Sequence, residues 1–178
     1  MRFLPVIVAA SLIAGRASAP AVEHGAKTVT LKKAGILAEA TDSQKRVIVP
    51  AAGQMFLWVK ATASAAQTID LTRVSLVGGA SSATVLGVDG TFDGDPKRFA
   101  MIGSSTLKDG GPSAPLEESW SVGSMAFAFT PHQTATLQII EPPQSFCLLF
   151  SVAKAFQTGQ ITGLGSTELS VPSIPRWR

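Results

Sequence analysis

Cysteine, histidine and charged residues are scarce in this chain of 178, and each scarcity excludes a chemistry. There is one cysteine, Cys147, so no intramolecular disulfide can staple the fold. It lies in the apolar run Phe146-Cys147-Leu148-Leu149-Phe150 and reads as a small buried hydrophobe rather than a reactive thiolate, which would want a base and a polar setting. There are two histidines, His24 and His132, which with one distant cysteine cannot close a zinc site without carboxylates. No Gly-x-Ser-x-Gly occurs, so the usual nucleophile elbow is missing. Charged residues make up 15%, and basic ones come at most in pairs (Lys32-Lys33, Lys45-Arg46, Lys97-Arg98), without aromatics spaced for base stacking. Against these stand 46% hydrophobic residues, sixteen Gly and eleven Pro, the balance of a turn-rich globular chain.

The N-terminus reads as a signal peptide. Arg2 precedes the apolar run Phe3 to Ala14, about twelve residues, where a bilayer span needs roughly 20. Small residues at minus three and minus one mark cleavage after Ala19 or after Ala21, and Pro20 favours the second. Cleavage there removes Arg2 and Arg16 but none of the twelve acidic residues. The mature chain then has 157 residues and a net charge near +1, so the basic excess of the full sequence is no argument for a nucleic-acid partner. The expected location is the periplasm or the extracellular space, with no transmembrane segment in the mature chain.

From Lys45 onward short apolar or β-branched runs recur about every ten residues, the spacing of an all-β sandwich or barrel. The expected strands are Arg46 to Val49, Met55 to Ala63, Ile69 to Val77, Thr84 to Val88, Phe99 to Ile102, Trp120 to Val122, Met125 to Thr130, Ala135 to Ile140, Phe146 to Ala155 and Thr167 to Val171. Residues 103–116, with Lys108-Asp109-Gly110-Gly111-Pro112 and Pro115, read as a loop, and the glycines of 158–166 as a flexible connection. Ahead of Lys45, Thr28 to Lys32 alternates like a short strand, and Lys33 to Ala40 reads as one helical turn or a loop. The resulting division is a signal peptide at 1–21, an N-terminal extension at 22–44, a β-sandwich domain at 45–171 and a tail at 172–178. Strands alternating with helices are absent, which excludes a parallel α/β sheet and its nucleotide sites.

Val49-Pro50, the strand Gln54 to Ala63, the Asp89-Gly90 turn and Met125-Ala126-Phe127-Ala128-Phe129-Thr130-Pro131 together resemble the immunoglobulin-type (telokin-like) sandwich domains of exported bacterial proteins. The resemblance covers about residues 45 to 155. It implies an immunoglobulin-like antiparallel β-sandwich of about 8–10 strands and transfers no catalytic residue. Tyrosine is absent and cysteine unpaired, so the antibody branch of that architecture is not indicated.

Three constellations bear on function. Asp89, Asp93 and Asp95, set among glycines, offer carboxylates for a calcium ion. The helix-loop-helix register fails, however, because Lys97 and Ala100 fall where ligands are required, and a plain hairpin loop explains the same residues. Arg176, Trp177 and Arg178 in the tail carry the residue types that dominate interfaces and form a candidate partner-binding peptide. His132, in the turn Thr130 to Thr134, is the one base from which a hydrolase could be built, with a Ser and an Asp brought from other loops. Glu117-Glu118 cannot flank one glycosidic bond, since neighbours on a strand face opposite ways. The leading expectation is an exported, non-enzymatic binding or structural module whose partner is a protein or cell-envelope component. A calcium-stabilised adhesion module and a small secreted hydrolase are the alternatives.

Overall fold

The computed structural model describes residues 28–90, 96, 98–165 and 169–172. Within them the chain is all-β and sandwich-like, with no α-helix. Its first part holds β1 (Val29–Leu37), β2 (Ala40–Asp42), β3 (Val47–Val49), β4 (Gln54–Ala63), β5 (Gln67–Asp70), β6 (Ser75–Gly78), β7 (Ser81–Thr84) and β8 (Gly87–Asp89). The second part holds β9 (Arg98–Met101), β10 (Ser105–Leu107), β11 (Pro112–Ser113), β12 (Glu118–Val122), β13 (Met125–Thr130) and β14 (Thr134–Ile139). It ends with β15 (Gln144–Ala153), β16 (Gln160–Thr162) and β17 (Leu169–Ser170).

Several expected elements are divided or extended, each for a local reason. The run Ile69 to Val77 breaks into β5, a single 3-10 turn at Leu71–Arg73, and β6. Asp70 causes the break, because its carboxylate accepts from the Thr72 N–H at 3.0 Å and the Thr72 hydroxyl at 2.6 Å, a side-chain turn that competes with the ladder. Residues 103–116 hold β10 and β11, joined through Gly110 and Gly111 at φ 93° and 92°, besides the loop. The segment Lys33 to Leu37 is neither helical turn nor loop but the second half of β1, shifted by one irregular step between Leu31 and Lys33. Residues 29–42, expected ahead of the sandwich, therefore supply two strands of its main sheet.

That main sheet has nine strands in the order β1-β4-β15-β8-β9-β2-β3-β10-β11. Its neighbours are antiparallel except β2 and β9, which pair in parallel at Thr41↔Arg98 and Asp42↔Phe99. Two four-stranded sheets, β12-β13-β14-β5 and β17-β16-β6-β7, pack on one of its faces. There Leu57, Val59, Phe146, Leu148 and Phe150 meet Phe127, Leu137, Leu76 and Ile161 in one apolar cluster. On the opposite face Phe56, Trp58, Phe99 and Leu149 form a second cluster with Ala40 of β2 and Ile48 of β3, and Leu107 of β10 packs against it. The centre of the sheet is thus covered on both sides. This explains why Phe56 to Val59 and Phe146 to Phe150 are unbroken apolar runs, as strands buried on both faces must be.

Close approach decides some side chains. Gly35 lies flat beneath the indole of Trp58, and a Cβ there would stand 2.6 Å from Nε1. The Lys33 ammonium lies 5.3 Å from the centre of the same ring.

Candidate functional site

The residues singled out from sequence do not converge on one place. Asp89 ends β8, 5% exposed, in a cross-strand row that runs Lys33↔Lys60, Lys60↔Cys147 and Cys147↔Asp89 over β1, β4, β15 and β8. Two cations therefore share its sheet face. Asp93 and Asp95, the other two candidate calcium ligands, lie outside the described residues, as do His24, Arg176, Trp177 and Arg178. Among the described residues no group of three or more His, Cys, Asp or Glu is placed to hold a metal. Cys147 is 2% exposed and packs with Phe99 and Leu149, as a small hydrophobe should. His132 sits exposed between β13 and β14, at φ 62°.

The most built polar cluster is structural. Asp42, 2% exposed, closes the turn from β2 to β3: its Oδ1 accepts from the backbone N–H of Gln44 (3.0 Å) and of Arg46 (2.8 Å), and its Oδ2 from Arg46 Nε (2.7 Å). Arg46 in turn donates to the buried Ser113 hydroxyl at 3.1 Å, tying β11 to the turn. These bonds run between groups of the protein itself, the pattern of a pinned turn rather than of a site awaiting substrate.

A different place has the features of a binding site. Where the edge strand β12 faces β8 and β9 across the two layers, the sheets part to leave a cleft of about 210 Å³. Val88, Ala100, Trp120 and Val122 supply its apolar lining, and Ser43, Asp89, Arg98 and Glu118 its polar side. The Arg98 guanidinium is held by the Ser43 carbonyl at 2.6 Å. Trp120 stacks on Phe127, its cross-strand partner, with ring centroids 5.3 Å apart. The outer edge of the same indole rests on Gly90, where a Cβ would come within 2.6 Å. A larger groove of about 540 Å³ at the turn 50–53 is lined by Ile36, Leu37, Met55 and small residues, with Lys154 as its one charged group. The β12 cleft is smaller but combines an aromatic wall, an apolar floor and three charged groups, the Asp89 and Glu118 carboxylates and the Arg98 guanidinium, which is what fixes a ligand's orientation.

The backbone of β12 adds a second feature. β12 and β13 form a hairpin closed by Gly123 and Ser124, with Val122 opposite Met125 and Gly123 at φ 57°. In such a ladder the residues next to the turn bond across the hairpin and their neighbours point their N–H and C=O outward. Val122, Trp120 and Glu118 therefore bond to β13, while Ser119 and Ser121 present their backbone groups to the other side. No described strand lies there, because β12 ends its sheet. The alternation Glu-Ser-Trp-Ser-Val signals a strand, but nothing in it marks that strand as an edge. The role of Arg98 had no signal, since it comes from a strand distant in sequence.

No protein-family model, curated protein or solved structure matches this chain.

Proposed function

We propose that this is an exported, non-enzymatic β-sandwich module, periplasmic or secreted, that binds a protein or cell-envelope component by strand addition along β12. The observation that carries the reading is the coincidence of an open ladder edge with a cleft. Ser119 and Ser121 offer up to four main-chain hydrogen bonds, and the cleft lined by Val88, Ala100 and Trp120 lies on the face that receives the alternate side chains of an added strand. Main-chain bonds supply affinity in that mode and side-chain pockets supply choice of partner. Export is supported by the leader pattern at residues 1–21. Among the described residues no helix is long and apolar enough to cross a membrane. The immunoglobulin-type resemblance belongs to the same proposal. Its support is that two of the segments that carry it, at β4 and β13, are antiparallel strands packed around one core.

Co-purification from the native envelope tests the reading, with the full chain compared against its Ser121→Pro variant. Proline at this position deletes an outward N–H and spares the bonds to β13, so folding should persist while capture of the bound component is lost. Equal capture by both chains overturns the edge as the binding surface. N-terminal sequencing of the mature protein should read from Pro20 or Val22, and a mature chain that begins at Met1 overturns export.

A further inference from the structure

We infer that the strand added to β12 is the β12 of a second copy of this chain, running antiparallel about Trp120 and joining two four-stranded sheets into one of eight. This rests on the edge reading above and names its partner.

Self-complementarity carries the inference. When β12 lies antiparallel to its own copy in the register that pairs all five residues, Ser119 of one copy faces Ser121 of the other, and the reverse. The outward backbone groups of both serines then meet outward groups of the same parity, as a hydrogen-bonded pair of an antiparallel ladder requires. Trp120 meets Trp120 at the twofold axis in a non-hydrogen-bonded position, where side chains stand closest and aromatic pairs stabilise best. Charge selects the same arrangement. Glu118 falls opposite Val122, and Glu117 opposite Gly123, whereas a parallel pairing would set Glu118 against Glu118. Leu116, one of the few large apolar residues left exposed at 51%, falls against the Gly123-Ser124 turn of the second copy. Such an interface is isologous and closes after two copies.

The edge of the β6–β7 hairpin lacks these features. β7 offers Ser81, Ser82 and Thr84, all exposed, so its pairing would bury little apolar surface.

Five residues a side bury less than the roughly 1,200 Å² of a standard stable interface, so the pair forms reversibly and depends on concentration. Sedimentation velocity of the mature chain from about 1 to 300 µM should show a monomer passing to a dimer. Ser121→Pro should weaken that dimer at least about tenfold while leaving the melting temperature of the monomer within a few degrees. Register is read independently of any proline effect by oxidising Glu118→Cys and Val122→Cys variants singly and as an equal mixture. Residues paired at a non-hydrogen-bonded position have Cα atoms about 4.5 Å apart, within disulfide reach. The covalent dimer should form in the mixture and not in either variant alone, with the buried Cys147 taking no part.

A chain that stays monomeric over the whole range, a dimer as tight in the Ser121→Pro variant as in the unaltered chain, or crosslinking equal in single and mixed samples overturns the second copy as partner. None of those results bears on the envelope comparison, which judges the edge reading by itself.

Discussion

At the residue scale, Asp42 is a costly position to alter outside the apolar core. Its carboxylate answers two backbone N–H groups and the Arg46 guanidinium in a setting 2% exposed, so Asp42→Ala leaves all three without an acceptor. The expected loss is about 3 kcal/mol or more in urea denaturation, with Asp42→Asn losing less because one acceptor oxygen remains. Gly35→Ala should cost about 1–3 kcal/mol, because the added Cβ meets the rigid, buried indole of Trp58 rather than a flexible chain end. A third outcome concerns pH. The hydrogen bond from the Thr72 hydroxyl, helped by the Thr72 N–H and by Arg73, holds the Asp70 carboxyl below its usual 3.8 against some desolvation. The folded value is the lower one, so the contribution is present above about pH 3.8 and lost as pH falls through the lowered value. Carboxyl-carbon NMR should show the Asp70 midpoint below 3.8, moving up in Thr72→Val. Nothing in the sequence marks Asp42 off from Asp70 or Asp89. All three precede turn-forming residues, and only their burial separates a pinned turn, an exposed cap and a buried row.

At the scale of elements, protection from exchange should follow position in the sheet rather than local composition. β4 and β15 run side by side for ten paired residues and carry apolar clusters on both faces. Their amides should exchange only with global unfolding, whereas the outward amides of Ser119 and Ser121, and the exposed residues of β7, should exchange orders of magnitude faster. Equal protection for β12 and β15 in the monomer would contradict the edge assignment. These strands were legible to different degrees. β13 matches the expected Met125 to Thr130 end for end, because a period of two and a Gly-Ser turn specify a hairpin locally. β1 was half missed: Lys32-Lys33 interrupts its alternation where the register shifts against β4, so its last residues carry no strand period. Its placement comes from the partner strand, not from its own pattern.

At the scale of the whole molecule, β1 and β2 decide what folds as a unit. β1 covers one edge of β4 through eight paired residues, and Ala40 of β2 lies in the second apolar cluster. A chain that begins at Lys45 exposes that edge and opens that cluster, so it should lose cooperative unfolding by circular dichroism and expose apolar surface to dye. A chain that begins at Val22 should melt as the full chain does. If both melt alike, residues 29–42 contribute nothing to the core.

The sequence by itself determined the all-β class, the sites of most turns and the absence of paired thiols, because these follow from period-two patterning, from Gly and Pro placement and from composition. The basic excess that invites a nucleic-acid partner is also weakened at this level, since Arg2 and Arg16 fall in the stretch that reads as a leader. Tertiary structure alone decided which runs are central and which are edges, because a strand's neighbours are set by long-range pairing that no local pattern encodes. Thus Arg98 and Trp120 share a cleft although they lie on strands distant in sequence, and Glu118-Ser119-Trp120-Ser121-Val122 became an open edge only because the chain placed nothing beside it among the described residues.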